Sequence, residues 1–174
     1  MLRTLFEWVD AMPLSLAWRE SLSAYPILLT MHVVSMGLVA GVILFWDMRL
    51  AGMALGRVPV SKIQATMFPW MTVGLLINAG TGFVLVFSQP MRYFPNFYFW
   101  IKFILMAFAA VNALYFHFTI NNTIAKWEHD PITPFKARMA GYASLAMWVG
   151  IIISGRMIAY SGLVPAWWTA LELG

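Results

Sequence analysis

The sequence contains no cysteine and little charge, and both absences restrict its function. Without cysteine the chain forms no disulfides, thiolate metal sites or cysteine-held iron–sulfur clusters. Charged residues make up 10% of its 174 residues, against about 25% in a typical soluble domain. The 11 Lys and Arg form no run, which argues against a nucleic-acid partner. No nucleophile with an adjacent base, paired carboxylates or phosphate-binding glycine loop supports a hydrolase or kinase.

Apolar residues are abundant instead, at 61% of the chain, and this excess predicts contact with a lipid bilayer. The first apolar run, residues 24–46, contains no Asp, Glu, Lys or Arg. At about 1.5 Å per residue it can cross a hydrocarbon core of about 30 Å. We therefore predict an all-α integral membrane four-helix bundle, with residues 1–174 as a single domain. The predicted spans are residues 24–46, 66–87, 97–120 and 139–160.

Amphipathic segments flank these spans. Residues 1–22 mix apolar side chains with charges such as Glu7 and Asp10, which predicts a segment lying in the membrane interface. Trp167 and Trp168 predict a second interfacial anchor near the C-terminus. Four crossings place both termini on one side of the membrane. Asp47 and Arg49 are interpreted as closing the first span.

The distribution of basic residues gives a weak orientation signal. Five basic residues lie on the side of the termini. The opposite side holds one more. Because cytoplasmic loops carry an excess of Lys and Arg, we predict periplasmic termini in a bacterial inner membrane. The opposite side holds six, namely Arg49, Arg57, Lys62, Lys126, Lys136 and Arg138.

Histidines inside the predicted spans are the first candidates for chemistry. An ionisable side chain in hydrocarbon is costly, so His32 predicts a ligand or redox role, with a hydrogen bond to a neighbouring helix as the alternative. His117, near the end of the third span, is a second candidate, and its alternative is an exposed interfacial side chain. A shared haem b is disfavoured because the two depths differ by ~16 Å at helical rise. Two separate sites are then expected.

Other polar residues in the spans extend this set. Asn78 lies between glycines in the second span and Asn112 at a similar depth in the third, so a hydrogen bond between them is the simplest interpretation. Arg156 and Tyr160 share a helical face, where Arg156 is a candidate for binding haem propionates, a quinone head or a lipid phosphate. Lys102 is interpreted as reaching the membrane surface along its own helix.

The methionines of the chain suggest copper binding as an alternative to haem. Thioethers bind Cu(I), so Met and His lining a path would suit copper handling, although scattered Met is usually core filler. Six of the 13 Met fall inside the spans, namely Met31, Met36, Met71, Met106, Met147 and Met157.

Short motifs in the spans carry a family resemblance. His32 in the first span, Asp47-Met48-Arg49-Leu50 at its exit and Gly155-Arg156-Met157-Ile158-Ala159-Tyr160 at the end of the last resemble a family of uncharacterised bacterial four-span membrane proteins. More remotely, the sequence is similar to copper-resistance D type proteins and to small membrane b-type cytochromes. The cytochrome resemblance implies haem ligation by histidines within the spans.

These observations lead to one principal expectation and two alternatives. We expect a cytochrome-b-like redox subunit that binds haem b and passes electrons between the quinone pool and a protein partner. The expected cofactor-binding residues are His32, His117, Arg156, Asn78 and Tyr160, with His32 and His117 as metal ligands. The alternatives are a non-catalytic structural subunit of a larger membrane complex and a copper-handling membrane protein.

Overall fold

The computed structural model describes residues 1–130, 132–160, 164–165 and 167–168. Its regular structure over these residues is entirely helical. Two short turns, a π-helical one at Phe116–Ile120 and a 3₁₀ one at Asn121–Thr123, connect α6 to α7. The helices are α1 Leu2–Asp10, α2 Pro13–Glu20, α3 Ala24–Ala51, α4 Val60–Ser88, α5 Pro90–Tyr93, α6 Phe97–Tyr115, α7 Ile124–Trp127 and α8 Phe135–Met157.

Four helical segments are long and apolar enough to cross a membrane, which confirms the predicted architecture. The first, α3, continues beyond the predicted end to Ala51 and stops where Gly52 adopts a left-handed φ of 75°. The third segment, Phe97–Trp127, combines α6, the two turns and α7. At its start the Asn96 side chain accepts hydrogen bonds from the main-chain N–H groups of Tyr98 and Phe99, which fixes the first turn.

The spans pack in the order α4, α3, α8, α6. Contact is extensive between α3 and α4, between α3 and α8, and between α6 and α8. Over the described residues, α4 and α6 do not pack extensively on each other, although they follow one another in the chain. The α3–α8 crossing is close, because a Cβ added to Gly141 would lie 2.9 Å from the main-chain oxygen of Asp47. The bundle is therefore less tightly closed between α4 and α6 than elsewhere.

We call the end of the bundle that holds the α3–α4 and α7–α8 connections the loop end, and the opposite end the terminal end. The main hydrophobic core lies at the loop end, where Trp46 packs edge-on against Phe68 and Phe116 at ring-centroid distances of 4.8 and 5.6 Å. The other buried members of this core are Leu50, Val60, Ile63, Ile120, Ile124, Trp127, Ala137 and Ala140.

Arg49 organises the loop end and is not the exposed span-end charge that the sequence suggested. Arg49 belongs to α3, and its side chain is buried. Nε donates to the Val58 carbonyl at 2.8 Å, one terminal nitrogen to the Thr133 hydroxyl at 3.1 Å, and the other to the Glu128 carbonyl at 3.1 Å. The planar guanidinium supplies several donors in fixed directions, so one side chain joins both connections to α3.

The N-terminal segment forms two helices against the terminal end. Pro13 occupies the first turn of α2, where its missing N–H is tolerated. The buried Ser15 hydroxyl lies 2.9 Å from the Phe87 carbonyl, to which it donates, and the Phe6 and Phe94 rings are 4.9 Å apart. Trp168 belongs to the predicted C-terminal anchor, and its indole N–H donates to the Pro95 carbonyl at 2.8 Å. Residues 161–163, 166 and 169–174 lie outside the described residues.

Candidate functional site: a histidine and a lysine in the terminal half

His32 projects from the terminal half of α3 towards α4. Its Nδ1 lies 3.0 Å from the Asn78 main-chain oxygen and 3.1 Å from the Thr81 hydroxyl. A carbonyl oxygen only accepts hydrogen bonds, so Nδ1 carries a proton. In a neutral imidazole the second nitrogen, Nε2, then holds the lone pair that binds a metal. No hydrogen bond to Nε2 is present among the described residues.

The Asn78 side chain donates hydrogen bonds back to α3, the helix that carries His32. Its amide nitrogen donates to the His32 carbonyl at 2.8 Å and to the Ser35 hydroxyl at 3.2 Å. The interpretation that Asn78 bonds Asn112 was wrong, because Asn112 donates instead to the Ala140 carbonyl on α8 at 3.1 Å. Each asparagine therefore joins its own pair of packed spans. The reciprocal bonds between His32 and Asn78 hold the imidazole in one orientation.

Gly82 provides the space that the imidazole occupies. A Cβ added at Gly82 would lie 2.9 Å from Cε1 and 3.4 Å from Nδ1 of His32. Both distances are shorter than ordinary van der Waals contacts of carbon, so a larger residue would displace the ring. A second glycine on α4, Gly74, contacts Val39 and Leu38 of α3 in the same way. The glycines beside Asn78 thus allow α4 to approach α3, as their spacing suggested.

Lys102, near the start of α6, packs against α8. Its half-buried side chain runs along α8, and both Cδ and Nζ would lie 3.7 Å from a Cβ added at Gly155. Lys102 therefore contacts the last turn of α8, and its reach to the membrane surface stays a prediction.

Arg156 and Tyr160 form the pair that their spacing predicted. The guanidinium donates to the Tyr160 hydroxyl at 3.1 Å and lies 5.4 Å from the centroid of its ring. Both side chains are exposed. No hydrogen bond joins them to His32 in the described part of the chain.

The other two histidines lie apart from His32. His117 is exposed within the π-helical turn, and its ring packs edge-on against Phe118 at 5.1 Å. His129 is exposed in the α7–α8 connection, with Nε2 3.9 Å from a Glu128 carboxylate oxygen. The structure thus brings His32 and Asn78 together, and it does not bring His117 to them.

A group of polar side chains lies between His32 and the terminal end. The Tyr25 hydroxyl, two helical turns before His32, lies 3.4 Å from the Tyr93 hydroxyl and accepts a hydrogen bond from Arg92 at 3.1 Å. Burial raises the pKa of the Tyr93 hydroxyl, and its hydrogen bond with Tyr25 adds to the shift. Tyr93 is therefore a neutral phenol at physiological pH.

A second buried ionisable group, Asp47, lies at the loop end. It is 2% exposed, Ser144 is a hydrogen-bond partner of its side chain, and Oδ2 has no partner among the described residues. Arg49 does not pair with it. Sequence reasoning placed Asp47 at a span end, because an acidic residue after an apolar run usually marks the membrane surface.

The helices and the buried polar groups define a four-span helical membrane protein. The chain belongs to DUF6644, a family of unknown function, whose model matches residues 5–161. This match confirms the resemblance to an uncharacterised family. No curated protein and no solved structure matches the chain. The more remote resemblance to copper-resistance D type proteins and b-type cytochromes stays a prediction.

Proposed function

We propose that this protein is a membrane redox subunit that binds haem b, which Nε2 of His32 would hold. The supporting observation is the hydrogen bond from Nδ1 to the Asn78 carbonyl. Histidines that bind metals commonly donate their other ring N–H to a carbonyl or carboxylate, which fixes the tautomer and makes the ligand nitrogen more basic. His32 has this arrangement inside a bilayer span, where an ionisable side chain is expensive to maintain.

Of the three histidines, His32 is the one that would hold the haem. His117 and His129 are exposed away from it, so the protein supplies one ring nitrogen to the site. Bound haem supplies one-electron oxidation and reduction of its iron. These residues would hold the imidazole, since the Asn78 main-chain carbonyl and the Thr81 hydroxyl accept at Nδ1 and Gly82 leaves room for the ring. The incomplete packing between α4 and α6 gives a lipid-soluble electron donor, such as a quinone, a lateral route towards the site.

The proposed location is a bacterial inner membrane, with both termini in the periplasm. The site lies in the terminal half of the bundle and thus in the periplasmic half of the bilayer. There the subunit passes electrons between the quinone pool and a protein partner. Labelling of single cysteines tests this orientation, because the chain contains none of its own. A cysteine replacing Ser23 should react with an impermeant thiol reagent in whole cells, and one replacing exposed Arg57 should not.

Optical spectroscopy of the detergent-solubilised protein tests the haem assignment. The oxidised protein should show a Soret band that shifts on reduction with dithionite. His32→Ala should abolish this band, while His117→Ala, the matched control, should retain it. A Soret band that persists unchanged in the His32→Ala variant would remove His32 from the ligand position. A colourless wild-type protein that carries copper by metal analysis would favour the copper alternative.

A second candidate function, a non-catalytic structural subunit, is favoured by the reciprocal bonds between His32 and Asn78. These bonds join α3 and α4 without any ligand. Under this alternative the purified protein is colourless and co-purifies with other membrane subunits. His32→Ala then weakens the helix packing and removes no optical signal.

A further inference from the structure

A small cavity lies at the loop end, between the last residue of α3 and the first two turns of α8. Its volume is about 280 Å³, and the residues that line it are Ala51, Gly52, Ile132, Thr133, Arg138 and Tyr142. Pockets for drug-sized ligands commonly measure about 300–1,000 Å³, so this cavity fits a smaller group. Because α3 ends and α8 begins here, the cavity lies where a span leaves the hydrocarbon and meets the polar headgroups.

The polar side chains of this cavity are suited to donating hydrogen bonds. The Arg138 guanidinium only donates, and Tyr142 and Thr133 each carry a hydroxyl. The buried Thr133 hydroxyl accepts a bond from Arg49 at 3.1 Å, which leaves its own proton to be donated. None of the described lining residues is acidic, and Arg138 forms no ion pair over the described ranges. The lining therefore suits an anion.

Exposed apolar side chains accompany the cavity along the start of α8. Phe135 lies one turn before Arg138, and Met139 lies one turn before Tyr142. The exposed fractions of Phe135 and Met139 are 73% and 48%, and that of Ile132 in the cavity wall is 71%. Acyl chains would cover such a surface, whereas a free anion would leave it bare. The cavity and its apolar border together match a molecule that carries both a phosphate and acyl chains.

We propose that this cavity binds the phosphate of an anionic phospholipid, with Arg138 as the principal contact and the Thr133 and Tyr142 hydroxyls as further donors. The planar guanidinium can donate to two phosphate oxygens at once, through charge-assisted hydrogen bonds. The bond from Arg49 holds the Thr133 hydroxyl at the cavity wall. A headgroup bound there joins the end of α3 to the start of α8. The site lies in the other half of the bundle from His32, so it is independent of haem binding.

Native mass spectrometry of the delipidated full chain in detergent tests this site. The probes are phosphatidylglycerol and a diacylglycerol with the same acyl chains, which lacks the phosphate. Wild-type protein should bind phosphatidylglycerol and should bind diacylglycerol only at the background level. Arg138→Gln should weaken binding of the first phosphatidylglycerol about tenfold, as expected on loss of hydrogen bonds to a charged group. The matched control Lys136→Gln removes an exposed charge two residues away and should change the affinity little.

Competition with inorganic phosphate distinguishes a lipid from a free anion. An equimolar amount of inorganic phosphate should leave phosphatidylglycerol bound to the wild-type protein. Displacement of the lipid at that concentration would assign the cavity to a free anion, and equally tight binding of diacylglycerol would assign the contact to the acyl chains. Either result would overturn the proposal.

The variants provide the remaining tests. Folded Arg138→Gln that binds phosphatidylglycerol as tightly as wild type would contradict the proposal. Equal losses in Arg138→Gln and Lys136→Gln would also contradict it, because they would show a general attraction of basic residues for the lipid. Should Arg138→Gln not fold, Tyr142→Phe removes one donor and keeps the ring. It should weaken lipid binding severalfold, and unchanged binding would count against the site.

Discussion

The two ends of the bundle treat their buried cations differently. At the loop end, Arg49 is completely enclosed and donates to three oxygen acceptors beside a dense aromatic core. In the terminal half, Lys102 has no carboxylate partner in the described part of the chain, and Nε2 of His32 is unengaged. Arg49 uses all three of its guanidinium nitrogens, whereas Asp47 Oδ2, also at the loop end, is buried without a partner among the described residues. Arg49 therefore stabilises the loop end, and under the proposed function the terminal half is where the haem would bind.

The largest expected effect on stability comes from Arg49. Arg49→Ala removes a buried donor from three acceptors, so we expect a loss of about 3 kcal/mol or more in the free energy of unfolding. Arg49→Lys should recover only part of this, because one ammonium group cannot reproduce the planar fork. Arg57→Ala, at an exposed position of the same connection, is the control and should change stability little. Denaturant unfolding in detergent measures all three, and equal stability of Arg49→Ala and Arg57→Ala would remove the distinction between the ends.

Gly82 tests the terminal half with an effect of intermediate size. Gly82→Ala places a methyl group against the His32 ring, so we expect destabilisation of about 1–3 kcal/mol and a displaced imidazole. The nearby Gly80 has no atom within 4 Å of an added Cβ, and Gly80→Ala should be neutral or slightly stabilising in a helix. Comparing the two variants by thermal unfolding separates the steric effect from helix propensity. Identical behaviour would show that Gly82 does not position the ring.

Asp47 differs from Arg49 because one of its buried oxygens lacks a partner among the described residues. A neutral replacement tests whether its carboxyl is charged. The free energy of burying an unpaired carboxylate is high, and Oδ2 has no described partner. Asp47→Asn keeps the shape and an acceptor for Ser144, so stability should stay within about 1 kcal/mol of wild type or rise. Asp47→Leu removes both oxygens and serves as the comparison. A large loss in Asp47→Asn would show that the carboxylate is charged and paired, contrary to this account.

The smallest expected effect is a pH dependence at Glu128. Its Oε2 accepts the Ser61 main-chain N–H at 3.1 Å, and hydrogen bonding from Ser61 lowers the pKa of the carboxyl. The stabilisation is therefore complete above the ordinary glutamate pKa and is lost as the pH falls through the lowered value. Glu128→Gln should lack this acid-side loss. Unfolding measured from neutral to acidic pH would contradict the assignment if both proteins showed the same profile.

Hydropathy was sufficient to predict the number and type of spans, because lipid contact dictates long apolar runs. It failed at the end of α3, where Asp47 and Arg49 resembled span-end charges. These side chains are buried because the two connections and α8 supply their polar surroundings. Such contacts come from residues distant in the chain, and the apolar pattern contains no information about them.

The sequence also did not predict which polar side chains bond each other inside the bundle. Asn78 and Asn112 have comparable depth, but the packing order places α4 on α3 and α6 on α8, so they bond different spans. A usable signal existed for Lys102. It lies three residues before Leu105, which packs at Gly150 on α8, so helical periodicity places both on the same face. His117 lacked such a signal, because the π-helical turn changes the helical phase at that position.

The most direct measurement of the central claim is imidazole rescue of His32→Ala, followed in the Soret region. The account predicts that wild-type protein shows the band, that the variant lacks it, and that added imidazole restores it by occupying the vacated position. Helical content measured alongside establishes that the variant is folded. A folded His32→Ala variant that retains the wild-type band without imidazole would contradict the assignment of His32 as the haem ligand.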